Sequence, residues 1–373
     1  MRAGRPRRSG LIGWALLAVA MLLLAGCANA DLPQDALSPE GPVARQQDQL
    51  WDIVYPIAIG VFVFVQLGLL VVMWRFRSRG DDTAIPHQLH GNTKLELLWT
   101  IIPALILAII AVPTTRTIFA LADEPDDALQ VRVIGKQFWW EFEYTGEEGQ
   151  GVVTANELHI PTGRPVFLSM EALSPQIPDS VVPGEESDER NPQSLDGVIH
   201  SFWVPKLAGK QDVVPGHVRT MYIEADNPGR YEGQCAEFCG IGHAVMRFEV
   251  VAHDPGDFEE WLTAQAEPAF DGQSGLAAQG KELFETAGCI ACHAINGYET
   301  SGGGAAGVRV GPNLTHFASR SIFAGGLFDN SDAEQLAAWL RDPQSVKQGA
   351  QMPNLGLSEE QIEALVAYLQ SLK

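Results

Sequence analysis

Twelve residues, "CAEFCGIGHAVM" from Cys235 to Met246, gather two thiols, an imidazole and a thioether. Three chemistries compete for such a cluster. A zinc site more often draws on C-x-x-C pairs or on histidines separated by loops, and seldom on methionine. A disulfide between Cys235 and Cys239 leaves His243 and Met246 without a purpose. Thiolate, imidazole and a weak thioether are the ligand set of electron-transfer copper. One copper needs a single thiolate, whereas two thiolates can bridge two coppers, and a second imidazole is then required. The best candidate is His200 in "GVIHSFWVP", although a lone histidine in such a run is more often an ordinary strand residue.

A second redox signature is "CIACH", Cys289 to His293. At this spacing two cysteines can form thioethers to haem vinyl groups while the next histidine sits under the iron. The competing reading, a thioredoxin-like dithiol, wants a βαβ pattern, and none surrounds it. The other axial ligand is expected towards the C-terminus, where "QMPNLG" places Met352 in a loop framed by proline and glycine. A thioether opposite histidine raises the potential and suits an electron carrier. Core filler is the commoner fate of a methionine. His316 reads as a surface residue.

The elements that must position these groups follow from composition and pattern. A chain of 373 residues is long for one core, so two folded domains with appendages are expected. Residues 1–26 carry a basic head, an apolar stretch and small residues before Cys27, the layout of an export signal; "LLAGC" resembles a bacterial lipobox, which makes Cys27 the lipidation candidate. Residues 27–50 then form an extracytoplasmic N-terminal segment. Two apolar segments, helices at about 53–76 and 97–121 within a hairpin of 51–122, are each long enough to cross a ~30 Å hydrocarbon layer. Arg75, Arg77, Arg79 and Lys94 lie between them, so that loop is cytoplasmic and everything beyond residue 122 is outside. The four cysteines after Cys27 form two close pairs in this exported region, where disulfides are permitted.

Residues 127–254 alternate β-branched and aromatic runs such as "QVRVIGKQFWWEFEY", "RPVFLSMEAL", "HVRTMYIEA" and "MRFEVVAH" with Gly and Pro turns, a β-barrel or sandwich pattern. An acidic, Pro-rich stretch at about 173–197 interrupts them as a surface loop. Residues 255–273 read as a linker. Residues 274–373 read as a small all-α domain, with capping boxes at Ser331/Glu334 and Ser358/Gln361 opening two helices. The net charge of −21 disfavours nucleic acid and favours a basic protein partner.

The last hundred residues resemble class I cytochromes c. "GPNL", Gly311 to Leu314, is similar to their loop whose proline carbonyl orients the haem histidine, which implies that role for Pro312. "EFCGIGHAVM", "VIHSFWVP", "GKQFWWEFEY" and "HGNTKLELLWTIIP" together resemble cytochrome c oxidase subunit II over residues 50–254. The resemblance implies a cupredoxin-like barrel behind a two-helix transmembrane hairpin. It also implies a dinuclear copper A centre held by His200, Cys235, Cys239, His243, Met246 and the carbonyl of Glu237. The Glu237 side chain would reach a magnesium ion shared with subunit I, and Glu96 would lie at the mouth of a proton pathway. Fusion to a haem c domain is similar to bacterial oxidases that carry their own cytochrome.

Two departures from the family pattern stand out. Where the family commonly reads QWYW and takes electrons at the first tryptophan, this chain has Gln137, Phe138, Trp139 and Trp140, so the usual electron-transfer aromatics are altered at Phe138. Asp196 lies four residues before His200 where the family has an aspartate three before, and it receives no metal role. The implied function is the electron-input subunit of a terminal haem-copper oxidase. Its partners would be subunits I and III, cytochrome c or another upstream donor, and the lipid bilayer of a bacterial plasma membrane; it would serve dioxygen reduction and proton translocation. The alternatives are the same module in a nitric oxide reductase and a standalone membrane-anchored electron carrier.

Overall fold

A computed structural model of the chain describes residues 19, 32–77, 88, 90–149, 151–173, 197–269, 274–298 and 310–373. All of the export segment except residue 19, Cys27, most of the acidic stretch and Asp196 lie outside the described residues. Two long helices come first, α1 (Pro42–Arg75) and α2 (Thr93–Ala120), and among the described residues nothing covers either apolar stretch. Pro56, Pro103 and Pro113 sit inside them, as transmembrane helices tolerate.

The first helix starts eleven residues earlier than expected, within the 27–50 segment. At 1.5 Å per residue its 34 residues span about 51 Å, well beyond a ~30 Å hydrocarbon layer. The excess has a use. Pro42 is set at the first turn by its fixed φ, Val43 and Ala44 are buried, and Ala44 N–H donates to the Leu207 carbonyl at 3.1 Å. Arg45 pairs with Asp226, and Glu40 exchanges backbone hydrogen bonds with Lys206 and Asp226. The membrane helix therefore carries the β-domain on its projecting end.

That domain comprises β1 (Leu129–Lys136), β2 (Trp139–Tyr144), β3 (Val153–Ala155), β4 (Glu157–Pro161), β5 (Val166–Ala172), β6 (His200–Trp203), β7 (Lys210–Val213), β8 (Arg219–Ile223), β9 (Gly229–Cys235) and β10 (Arg247–His253). They form two five-stranded sheets, ordered β3-β2-β1-β5-β8 and β4-β10-β9-β6-β7. Trp140, Phe142, Phe202 and Phe248 interlock in the core, mostly edge to face, with Phe202 and Phe248 stacked at 4.5 Å between centroids. The expected single run from Gln130 to Tyr144 is two antiparallel strands that pair Lys136 with Trp139, which places Gln137 and Phe138 at the tip. Next to β9, β6 pairs Phe202 with Cys235; the same register carried two residues on brings His200 level with Glu237.

The expected linker begins as a helix, α3 (Pro255–Ala266). Phe258, Trp261 and Leu262 share one face at helical spacing, and Trp261 stacks on His159 at 4.1 Å while packing against Tyr144. The segment thus closes the barrel before the chain leaves it.

The cytochrome-like region contains α4 (Gly275–Thr286), α5 (Ala333–Arg341), α6 (Pro343–Val346) and α7 (Glu359–Leu369). Phe284 of α4 meets Tyr368 of α7 at 5.8 Å between ring centroids. The Ser358/Gln361 capping box is present. At α5 the cap is Asp332 instead of Ser331: its carboxylate accepts from the N–H groups of Glu334 and Gln335, the stronger acceptor winning by one residue. The region is also not purely helical, since β11 (Ile322–Phe323) and β12 (Phe328–Asp329) form a short hairpin.

Phe258→Ala should destabilise the β-domain by about 3 kcal/mol, the usual cost of emptying a buried aromatic site. Thermal unfolding of the detergent-solubilised protein measures it, and a loss below about 1 kcal/mol would return α3 to the status of a linker.

Candidate metal and haem centres

The twelve-residue cluster occupies the end of β9, a loop, a short 3-10 turn at His243–Val245 and the start of β10. Cys235 N–H donates to the Met246 carbonyl at 2.9 Å and closes the base of this loop; Ala236 N–H donates to the Ser201 carbonyl at 2.9 Å and ties it to β6. The side chains converge. His200 Nδ1 lies 3.8 Å from Cys235 Sγ, which lies 3.9 Å from Cys239 Sγ and 3.2 Å from the Glu237 carbonyl oxygen. Cys239 Sγ is 3.7 Å from His243 Nδ1 and 3.8 Å from Met246 Sδ. The cysteines are free thiols, and their sulfurs stand far beyond the ~2.0 Å of a disulfide.

Electrostatics explains what such a pair wants. The Cys235 thiol is pulled well down, because the Cys239 S–H and His200 favour its thiolate against the cost of burial; Cys239 is pushed up by that neighbouring sulfur and by burial. Two adjacent thiolates in a dry site need positive charge between them. Soft thiolates, imidazole nitrogens and a thioether fit copper, and the sheltered position of four of these side chains suits a site that must not exchange ligands with water. His200 is held by packing against Trp140, 5.7 Å between centroids. The rim beside Glu237 leaves Phe238 and Ile241 exposed, 71% and 76%, an apolar edge that the sequence pattern did not mark.

The second centre is an open-mouthed cavity lined by Cys289, Cys292, His293 and Met352 among apolar residues. His293 Nδ1 donates to the Pro312 carbonyl at 2.8 Å, which leaves Nε2 as the nitrogen that could take a metal. Gly311 is required by close approach: a Cβ there would lie 2.6 Å from the imidazole. Burial pushes His293 below its ordinary pKa, keeping it neutral and able to ligate. Arg320 also lines the cavity, with desolvation pulling it down to about 10; it gives the pocket a cation that an acidic cofactor group would satisfy. The residues present fit a covalently attached haem.

The two centres share a wall. Phe138 and Trp139 line the haem cavity, while Gln137 Nε2 donates to the Cys239 carbonyl at 2.6 Å. A Cβ on Gly242 would lie 2.5 Å from the Phe138 ring, so that ring rests on the loop that carries His243. Of the three aromatics singled out, Phe138 and Trp139 face the cavity and Trp140 faces His200.

Other expected positions fare differently. His316 is not a surface residue: it is buried, with Nε2 donating to the Glu267 carbonyl at 3.0 Å, because the chain leaving α3 lies across it. Glu96 accepts from the Asn92 N–H at 3.3 Å while Asn92 caps Lys94 and Leu95, a helix-start role at the exposed head of α2. Glu237 is half-buried at the rim of the cluster.

A charged group that sequence reasoning missed is Glu157, buried where the cytochrome-like region meets β4. Burial pushes its carboxyl up, but hydrogen bonds from His159 and Ser321 outweigh that and pull it down to about 2. His159, whose Nε2 lies 3.5 Å from the Glu157 carboxylate, is itself pushed below its ordinary value by burial. Arg230 adds an ion pair at 3.0 Å.

A dry thiolate and imidazole cluster on a cupredoxin-type sandwich, joined to a c-type haem pocket and anchored by a helical hairpin, defines a membrane-bound electron-transfer protein. The sequence matches "Cytochrome C oxidase subunit II, periplasmic domain" over residues 129–253, the corresponding transmembrane domain over 30–117 and "Cytochrome c" over 277–373. It is 38% identical to cytochrome c oxidase subunit 2 of Alkalihalophilus pseudofirmus and 34% identical to that of Bacillus subtilis, covering 94% and 96% of each chain. It is 32% identical to quinol oxidase subunit 2 of Bacillus subtilis over 68% of this chain and 71% of that one. The chain belongs to the cytochrome c oxidase subunit II family and carries an added cytochrome c domain.

With its carboxyl held below the ordinary 4.5, Glu157 contributes stability that is present above that value and lost as pH falls towards 2, up to roughly 3 kcal/mol. Glu157→Gln should flatten the acid side of the curve of melting temperature against pH. An acid limb of unchanged slope would show that Glu157 is not the group responsible.

Proposed function

We propose that this chain is the electron-input subunit of a terminal haem-copper oxidase in a bacterial plasma membrane. In that role the cytochrome domain would hold a haem c that takes electrons from cytochrome c or another upstream donor, and the β-domain would hold a dinuclear copper A centre that relays them to subunit I for dioxygen reduction to water and proton translocation. The bound metals supply one-electron redox chemistry. The residues of this chain hold them, keep water away and set the separation.

In this reading His200, Cys235, Cys239, His243, Met246 and the Glu237 carbonyl hold the copper pair. Cys289 and Cys292 would anchor the haem, His293 and Met352 would ligate its iron, and the Pro312 carbonyl would fix the His293 ring. Glu237, beside the exposed Phe238, faces subunit I and a shared magnesium ion; Glu96 serves the mouth of a proton pathway; Cys27 carries a lipid; subunit III completes the complex. The observation that carries the reading is the shared wall, in which Phe138 and Trp139 line the haem cavity while Gln137 and Phe138 touch the copper loop.

Purification in mild detergent should yield a complex with a large polytopic subunit, copper, haem c and oxygen consumption sustained by reduced cytochrome c. A purified chain lacking that partner and that activity would favour a standalone carrier. Cys239→Ser should abolish oxygen consumption while leaving the haem c absorption intact. Met352→Ala should lower the haem c potential, because loss of a thioether ligand removes its preference for reduced iron; an unchanged potential assigns the sixth position to another residue.

A further inference from the structure

The cytochrome domain rests on the copper domain through two buried contacts made by separate parts of its chain. At the first, Glu157 at the start of β4 accepts from the N–H of Ser321 at 2.8 Å, the N–H of Ile322 at 3.2 Å and the Ser321 hydroxyl. At the second, Lys347 Nζ donates at 2.7 Å to the carbonyl of Phe138, in the copper domain, and at 2.7 Å to that of Ala324, in its own. Between them Arg247 N–H donates to the Gly325 carbonyl at 2.8 Å. Gly325 has φ +73°, and a Cβ there would sit 2.8 Å from the Phe138 carbonyl oxygen, so only glycine lets the two backbones meet.

These contacts are poor ones for a loosely tethered domain. Lys347 is 4% exposed and Glu157 2%, and an amine or carboxylate is costly to bury without partners. Part of each partner set comes from across the junction: the Phe138 carbonyl for Lys347, whose other acceptor is Ala324 of its own domain, and Ser321 and Ile322 for Glu157, which also pairs with Arg230 and lies beside His159 in its own domain. Undocking would leave Lys347 with fewer acceptors and strip Glu157 of three donors. The contact also covers a face: Phe138 is 4% exposed and Trp139 7%, and the Phe138 ring is close enough to Gly349 that a Cβ there would lie 3.0 Å away.

We propose that Lys347 and Glu157 are positioning residues that hold the cytochrome domain in one docked pose, closing the Phe138 face of the copper domain to soluble redox proteins. A soluble donor must then deliver electrons at the cytochrome domain. That consequence rests on the electron-input reading; the docked pose does not.

The test uses the full chain with haem and copper loaded, as wild type, Lys347→Met, and Ser321→Ala combined with Glu157→Gln. Haem absorption and the copper paramagnetic signal first report that both centres are intact. Pulsed paramagnetic resonance of the oxidised protein should give one narrow haem-to-copper distance in wild type and a broad distribution in the variants. Backbone hydrogen exchange across residues 137–140 and 321–326 should rise about tenfold in the variants. A broad distance distribution in wild type, or variants unchanged in both measurements, would overturn the proposal. Should Lys347→Met lose either metal signal, Ser321→Ala alone, which removes one hydroxyl, carries the comparison by the same two measurements. If wild type lacks the copper or haem signal, the electron-input reading fails, while hydrogen exchange still decides the dock.

Discussion

Two thiols held 3.9 Å apart in a dry site can both ionise only with positive charge between them. Much of the copper domain can be understood from that constraint. The β6–β9 register delivers His200 to one sulfur, and the 3-10 turn after the cysteine loop delivers His243 and Met246 to the other. Backbone hydrogen bonds at the base of the loop keep the sulfurs from drifting into a disulfide or into solvent. The aromatic core beneath, with Trp140 against His200, makes the surroundings stiff and apolar. A rigid ligand frame of this kind lets a metal change charge with little rearrangement, which suits fast electron transfer.

Position is the second theme. The projecting turns of α1 grip the β-domain, with Val43 and Ala44 buried and Ala44 N–H bonded to the Leu207 carbonyl, so the domain is tied to the end of that helix. The cytochrome domain meets the tip of the β1–β2 hairpin, where Lys347 reaches the Phe138 carbonyl. One short stretch, Gln137 to Trp140, thereby touches the copper loop, the haem cavity and the core at once, by strand alternation at a turn.

The candidate site was partly legible in the sequence because its donor groups are local. The Cys235–Met246 cluster and "CIACH" each bring several sulfur and imidazole groups together within a few residues, and His200, Pro312 and Met352 sit in short motifs that the structure brings beside them. The hairpin was legible because hydrocarbon demands long uncharged runs. What escaped depends on tertiary contact. Lys347 and Glu157 are single charges in unremarkable contexts, and their burial comes from a meeting of segments 164 and 209 residues apart. His316 looked exposed because a short polar stretch gives no sign that another segment crosses it. The helix α3 was hidden by its length, since three large apolar residues in twelve do not outweigh a Pro/Gly start. The early start of α1 was hidden by its polar first turns, which belong to a helix gripping protein instead of lipid.

The central claim is that the cysteine pair holds two coppers sharing one electron in the resting protein. Electron paramagnetic resonance of the metallated chain tests it most directly, because hyperfine splitting counts the nuclei over which an unpaired electron is spread. A signal split equally by two copper nuclei is the expected result. A pattern from a single copper nucleus in the intact, fully metallated protein would contradict it.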